Sequence, residues 1–184
     1  MHPRSPTVVG IVALAAVSWL MPAGAAFAQA APAATHPIPQ AMRIEQKETI
    51  EQLTILAAKP APVGPAAKDA LALIQKHYAR EREFILPPLT LLPLIADGKV
   101  TPDMAWALPM TDRVRAEREQ IFDEHAETTE ALNVLLVAAV EANDNDAKEF
   151  AESAAGDSLT DLEILEPAIL MIGDTLRAKL PAAH

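Results

Sequence analysis

His77 and Glu81 stand four residues apart, and so do Asp157 and Asp161. On a helix, residues at that spacing share a face, so each pair can aim two ligand atoms at one point. Imidazole and carboxylate are donors suited to non-haem iron, manganese or zinc. Both pairs open the same pattern. His77 to Pro87 reads H-Y-A-R-E-R-E-F-I-L-P, and Asp157 to Pro167 reads D-S-L-T-D-L-E-I-L-E-P. Each has a ligand type at the first position, a carboxylate four residues later, then a glutamate and a closing proline. A second pair of stretches matches as well, Glu45 to Leu56 (E-Q-K-E-T-I-E-Q-L-T-I-L) and Glu124 to Leu135 (E-H-A-E-T-T-E-A-L-N-V-L). Gln46 precedes His77 by 31 residues, and His125 precedes Asp157 by 32. The chain therefore reads as one helical hairpin written twice, with candidate metal ligands at equivalent places in both copies.

Four helical segments must position these residues. The first spans about Ala41 to Ala58, with Met42, Gln46, Thr49, Ile50, Leu53 and Leu56 on one stripe. Breakers from Lys59 to Pro65 end it. The second starts near Ala66 and carries Leu71, Ile74, His77, Tyr78, Glu81, Phe84 and Ile85 inward. Pro87-Pro88 should bend or interrupt it, and Gly98 should stop the apolar run that follows. Thr101-Pro102 opens a short connecting helix closed by Pro109. Thr111 caps the third segment, whose stripe holds Val114, Ile121, Phe122, His125, Thr128, Leu132, Leu135 and Leu136. After a turn at Asn143–Asp146 the fourth runs to about Leu180, with Phe150, Ala154, Asp157, Asp161, Ile164, Leu165, Ala168 and Met171 inward and a kink at Pro167. No segment alternates with a period of two. The expected fold is all-α, an antiparallel four-helix bundle of two repeated hairpins over residues 41–182.

The stripes turn Gln46, His77, Glu81, His125, Asp157 and Asp161 inward, where a bundle otherwise places leucine. Buried carboxylates are costly unless paired or metal-bound. Taken singly, each residue has a plainer role: His77 and Glu81 as an ion pair, His125 as a bonded core histidine, Asp157 as a cap after Gly156. Taken in register, they point to a cation.

On these residues the chain resembles the hemerythrin-like, or HHE cation-binding, domain family. Each half of that family's bundle has a histidine on its first helix and a histidine and glutamate four apart on its second. His77 to Pro87 is similar to the family's H-x-x-x-E-E-x-x-L-F-P with one glutamate changed, and Glu124-His125 to its Glu-His. The resemblance covers about Met42 to Leu180. It departs from the family at Gln46, at Asp157 and Asp161, and at Thr129, where canonical hemerythrin has histidine. The resemblance implies the bundle fold and metal ligands at His77, Glu81, His125, Asp157 and Asp161. Gln46 and Thr129 would support them. The implied cofactor is iron, with manganese or another divalent metal as the alternative. The implied partners are that ion and a small diatomic ligand, in metal or dioxygen binding, sensing or stress protection. A metal-free bundle serving as a structural or interaction module is the competing reading. A carboxylate-bridged oxidase would need two ions about 3.5–4 Å apart.

The remaining features narrow the class. Arg4, the apolar run Val8–Met21 and Ala26-Phe27-Ala28 form a signal peptide over residues 1–28, and an Ala/Pro-rich linker follows over 29–40. Export to a bacterial periplasm is expected, with membrane contact only if the signal stays uncleaved. The chain has no cysteine, which rules out disulfides and thiolate metal sites. A net charge of −10 makes nucleic acid an unsuitable partner. No nucleophile–base pairing or glycine-rich phosphate loop stands out, so a binding protein rather than an enzyme is expected.

Overall fold

Helix accounts for nearly all of residues 36–181, the part of the chain described by the computed structural model, and no strand occurs among them. The fold is all-α. The expected signal peptide over residues 1–28, and all but the end of the expected linker, lie outside the described residues. Among those residues, no helix is long and apolar enough to cross a membrane.

Helix α1 (Gln40–Ala57) stops ahead of Pro60 and Pro62, neither of which can donate to a helical ladder. Helix α2 (Val63–Arg80) begins three residues earlier than the sequence suggested. Pro65 falls in its first turn, where backbone N–H groups have no intrahelical partner. A side chain at Gly64 would run into the Lys59 carbonyl, so this turn needs the glycine.

Both hairpins change helical type at the same place. After α2 comes a π-helical turn, Glu81–Ile85, in which the Leu86 N–H donates to the Glu81 carbonyl at 2.8 Å. After α6 (Asn145–Thr160) comes another, Asp161–Leu165, in which the Glu166 N–H donates to the Asp161 carbonyl. Each turn starts at the carboxylate of the repeat and ends just before its proline. A proline ring clashes with the carbonyl four residues back, and widening the preceding turn relieves that clash. The second half then continues as α7 (Glu166–Lys179). The first half does not: Pro87–Leu91 is 3₁₀, and the short α3 (Leu92–Ala96) ends at Gly98 in the left-handed region, φ 74°.

The connection between the halves differs from expectation. The 3₁₀ turn Pro102–Trp106 runs directly into α4 (Ala107–Ala116). Pro109 does not close a helix, because it is the third residue of α4 and needs no N–H there. Thr111 is not a cap either. It is buried within α4, and its hydroxyl donates to the Leu108 carbonyl at 3.0 Å. The break falls instead at Glu117, after which α5 (Arg118–Ala142) begins. Asn143, left-handed at φ 53°, ends α5, and the Asp144 carboxylate accepts from the Ala147 N–H to start α6. His36 stacks on Trp106 at 3.8 Å between ring centroids.

Helix α1 packs on α2, α2 on α5, α5 on α6, and α4 on α7. Two apolar cores result. One gathers Leu53, Leu56, Ile74, Leu132 and Leu135 with small residues of α6, and the other Phe84, Ile85, Val114, Ile121, Ile169, Ile172 and Leu176. Helix α2 passes from the first core to the second, and α5 from the second to the first. Between them, on both helices, lie the buried polar residues His77, Glu81, His125 and Thr128, with Gln46 from α1.

Past Asp161 the expected stripe of the fourth segment holds only in part: Leu165 and Ala168 pack against the second core, but its other members do not. Ile164 and Met171 are 60% and 68% exposed, whereas Ile169 and Ile172 are buried. A π turn adds one residue to the helix, so the most buried positions beyond it move along by one. Phe122 is also exposed, directly after buried Ile121.

Candidate metal centre

His77, Glu81 and His125 each offer one ligand atom, and these atoms lie within 4.8 Å of one another. Asp157 and Asp161 are not part of this buried set. All three of its members are about 95% or more buried. His77 closes α2, Glu81 opens the π turn, and His125 faces them from α5, its ring edge-on to that of His77 with centroids 4.3 Å apart. His77 Nε2 is 3.3 Å from Glu81 Oε1. Two donors bound to one ion at about 2.1 Å are roughly 3.0–3.4 Å apart at octahedral or tetrahedral angles, so this spacing suits a shared ion.

Groups behind the cluster orient it. His125 Nδ1 lies 3.1 Å from Ser158 Oγ, and the Thr129 hydroxyl donates to that same oxygen at 3.3 Å. This leaves His125 Nε2 for the cluster. His77 Nδ1 faces Glu124 Oε2 at 3.7 Å, too long for a hydrogen bond, and both atoms are buried without a hydrogen-bond partner. Histidines that bind metals commonly turn the second ring nitrogen toward a carboxylate or hydroxyl in this way. Glu124 is fixed by Arg80, whose Nε is 3.0 Å from Oε2, and Arg80 also donates to Glu117 at 2.8 Å. Gln46 is buried beside Glu81. Its Nε2 donates to Glu81 Oε2 at 2.6 Å, and its Oε1 accepts from Arg82 Nε at 2.6 Å.

A cavity of about 30 Å³ opens on the cluster from the α1–α6 side, lined by His77, His125, Tyr78, Ser158, Asp161 and Glu45 among others. Asp161 is half-buried there. Asp157 also borders the cavity but is exposed at its rim, and the neighbouring Ser158 makes the contact with His125. Charge crowds this space. Burial, then Glu81 and Glu45, push the Asp161 carboxyl up to about 7. Burial, then Asp157 and Glu81, raise that of Glu45. Burial and the adjacent His77 push His125 down to about 4, which keeps it neutral and its lone pair free. Burial lowers His77, but Glu81 and Glu124 together outweigh it and leave its pKa raised. The site is one in which carboxylates resist ionising together. A cation would relieve that repulsion.

Glu45, Glu124, Tyr78, Arg80 and Ser158 were not singled out as site residues from sequence. The repeat carried a signal for two of them, since Glu45 and Glu124 immediately precede Gln46 and His125 in the matched stretches. Ser158 had none beyond its position next to Asp157.

Comparison of the chain with protein-family models, with curated proteins and with solved structures finds no match.

Proposed function

We propose that this chain is an exported, hemerythrin-like bundle of two repeated hairpins that binds metal between its two apolar cores. Iron is the ion that the resemblance favours, in a role of metal or dioxygen binding, sensing or stress protection. The observation that carries this reading is the buried convergence of His77, Glu81 and His125. Two imidazoles and a carboxylate fit a divalent transition metal, and the hydrogen-bond partner missing at His77 Nδ1 supports the fit, because an ion on Nε2 would strengthen the pull of Glu124 on the Nδ1 proton. In this reading His77 and His125 bind through Nε2, Glu81 through Oε1, and Asp161 stands by across the cavity. Ser158 and Glu124 fix the two rings. The ion would supply Lewis acidity and exchangeable positions for a small ligand.

A metal-free polar layer that fixes helix register is the second reading. The Gln46 and His77 contacts favour it, since they partner both Glu81 oxygens without an ion.

The two readings separate in a melting experiment. Protein stripped by chelator should gain several degrees in Tm on addition of iron(II) or manganese(II), because a ligand of the folded state stabilises it by mass action. The gain should vanish in His125→Ala. An unchanged Tm for the wild type after demonstrated metal removal would favour the metal-free layer.

A further inference from the structure

We infer that the site takes a single ion in a two-histidine, one-carboxylate set, with Gln46 confining Glu81 to one ligating oxygen and open positions facing a cavity sized for one diatomic ligand. This rests on the metal-binding reading above.

The orientation of Gln46 is decided by its neighbours. Arg82 Nε can only donate, so the Gln46 atom 2.6 Å from it is the carbonyl oxygen. The amide nitrogen must then face Glu81 Oε2, also at 2.6 Å, and a carboxylate can only accept from it. Glu81 Oε2 is thereby tied up by a charge-supported relay from Arg82 through Gln46. The usual carboxylate bridge places one oxygen on each of two ions, and here Gln46 holds Oε2 and leaves Oε1, on the His77 side, turned to the cluster. Besides His125 the second hairpin supplies no imidazole, and its Asp161 is only half-buried across the cavity. Its counterpart of His77 is Asp157, which is exposed. Among the described residues, the buried donors that converge within ligand reach of one another are thus His77, Glu81 and His125. That set with open positions is the arrangement of mononuclear non-haem iron(II). The open side faces the cavity of about 30 Å³. Such a space holds a water or a diatomic molecule and not an organic co-substrate.

The test uses the chain as produced, stripped of metal and titrated anaerobically with iron(II). Nitric oxide then serves as a probe of open positions by electron paramagnetic resonance. The expected result is saturation at one ion per chain, with the signal of an isolated ferrous–nitrosyl unit. Gln46→His supplies an imidazole and releases Glu81 Oε2, and should tighten iron(II) binding about tenfold or more. Saturation at two ions, both lost in His77→Ala, would overturn the single-ion inference and leave the metal-binding reading standing. A single ion that gives no nitrosyl signal would overturn the open position. Unchanged affinity in a folded Gln46→His variant would overturn the role of Gln46. No ion bound at all would overturn the metal-binding reading itself, and this inference with it.

Discussion

His77 and His125 are adjacent, yet their surroundings push them in opposite directions. Carboxylates on both sides hold His77 above its ordinary 6.5, whereas burial beside another imidazole holds His125 near 4. Metals bind neutral imidazole. An ion therefore competes with a proton at His77 more than at His125. We predict that metal affinity rises with pH through the neutral range, with up to about one proton released per ion. Calorimetric titrations in buffers of different ionisation enthalpy measure that release, and a pH-independent affinity with no proton released would contradict it. Without metal, the two imidazoles act on stability in opposite senses as pH changes. The raised pKa of His77 stabilises the fold fully below 6.5, and that contribution is lost as pH rises through the folded value. The lowered pKa of His125 costs stability as pH falls from 6.5 towards 4, where only the unfolded chain takes up the proton.

At the scale of the element, the paired π turns are the main feature that positions the site. Each begins at the carboxylate of its half, and each precedes a proline. The prolines were legible as kinks, but not the widened turns that absorb them. That is why Ile164 and Met171 were misplaced by one residue, while His77, before the first turn, and Glu81, at its start, were read correctly. The start of α6 is a smaller junction with a clear dependence. Asp144 caps that helix through the Ala147 N–H and also pairs with Lys59 at the end of α1. Asp144→Ala should lower stability by about 1 kcal/mol, the usual cost of a lost N-cap, with a little more from the part-buried ion pair. Denaturant unfolding would show it, and a change below a few tenths of a kcal/mol would mean that the cap contributes nothing.

At the scale of the molecule, the chain interrupts its apolar interior with one polar layer, and the order of residues along α2 and α5 follows from that. Ile74 and His77 on α2 are followed by Glu81 and Phe84 on its π turn, and Ile121, His125, Thr128 and Leu132 succeed one another on α5. This much was legible in the sequence, because inward polar residues at helical spacing are conspicuous between leucines and isoleucines. What the sequence left obscure depends on side chains reaching across helices. Ser158 rather than Asp157 meets His125, Gln46 leans on Glu81, and Glu124 stands behind His77. None of these follows from periodicity along one helix. The long connection was misread because Pro109 and Thr111 resemble boundary residues but fall inside α4.

The most direct test of the central claim is the metal content per chain, by elemental analysis, of protein purified without an affinity tag. The account predicts near-stoichiometric iron or manganese in the wild type, lost in both His77→Ala and Glu81→Ala while the fold persists. A folded wild type that carries no metal, even after reconstitution, would contradict it.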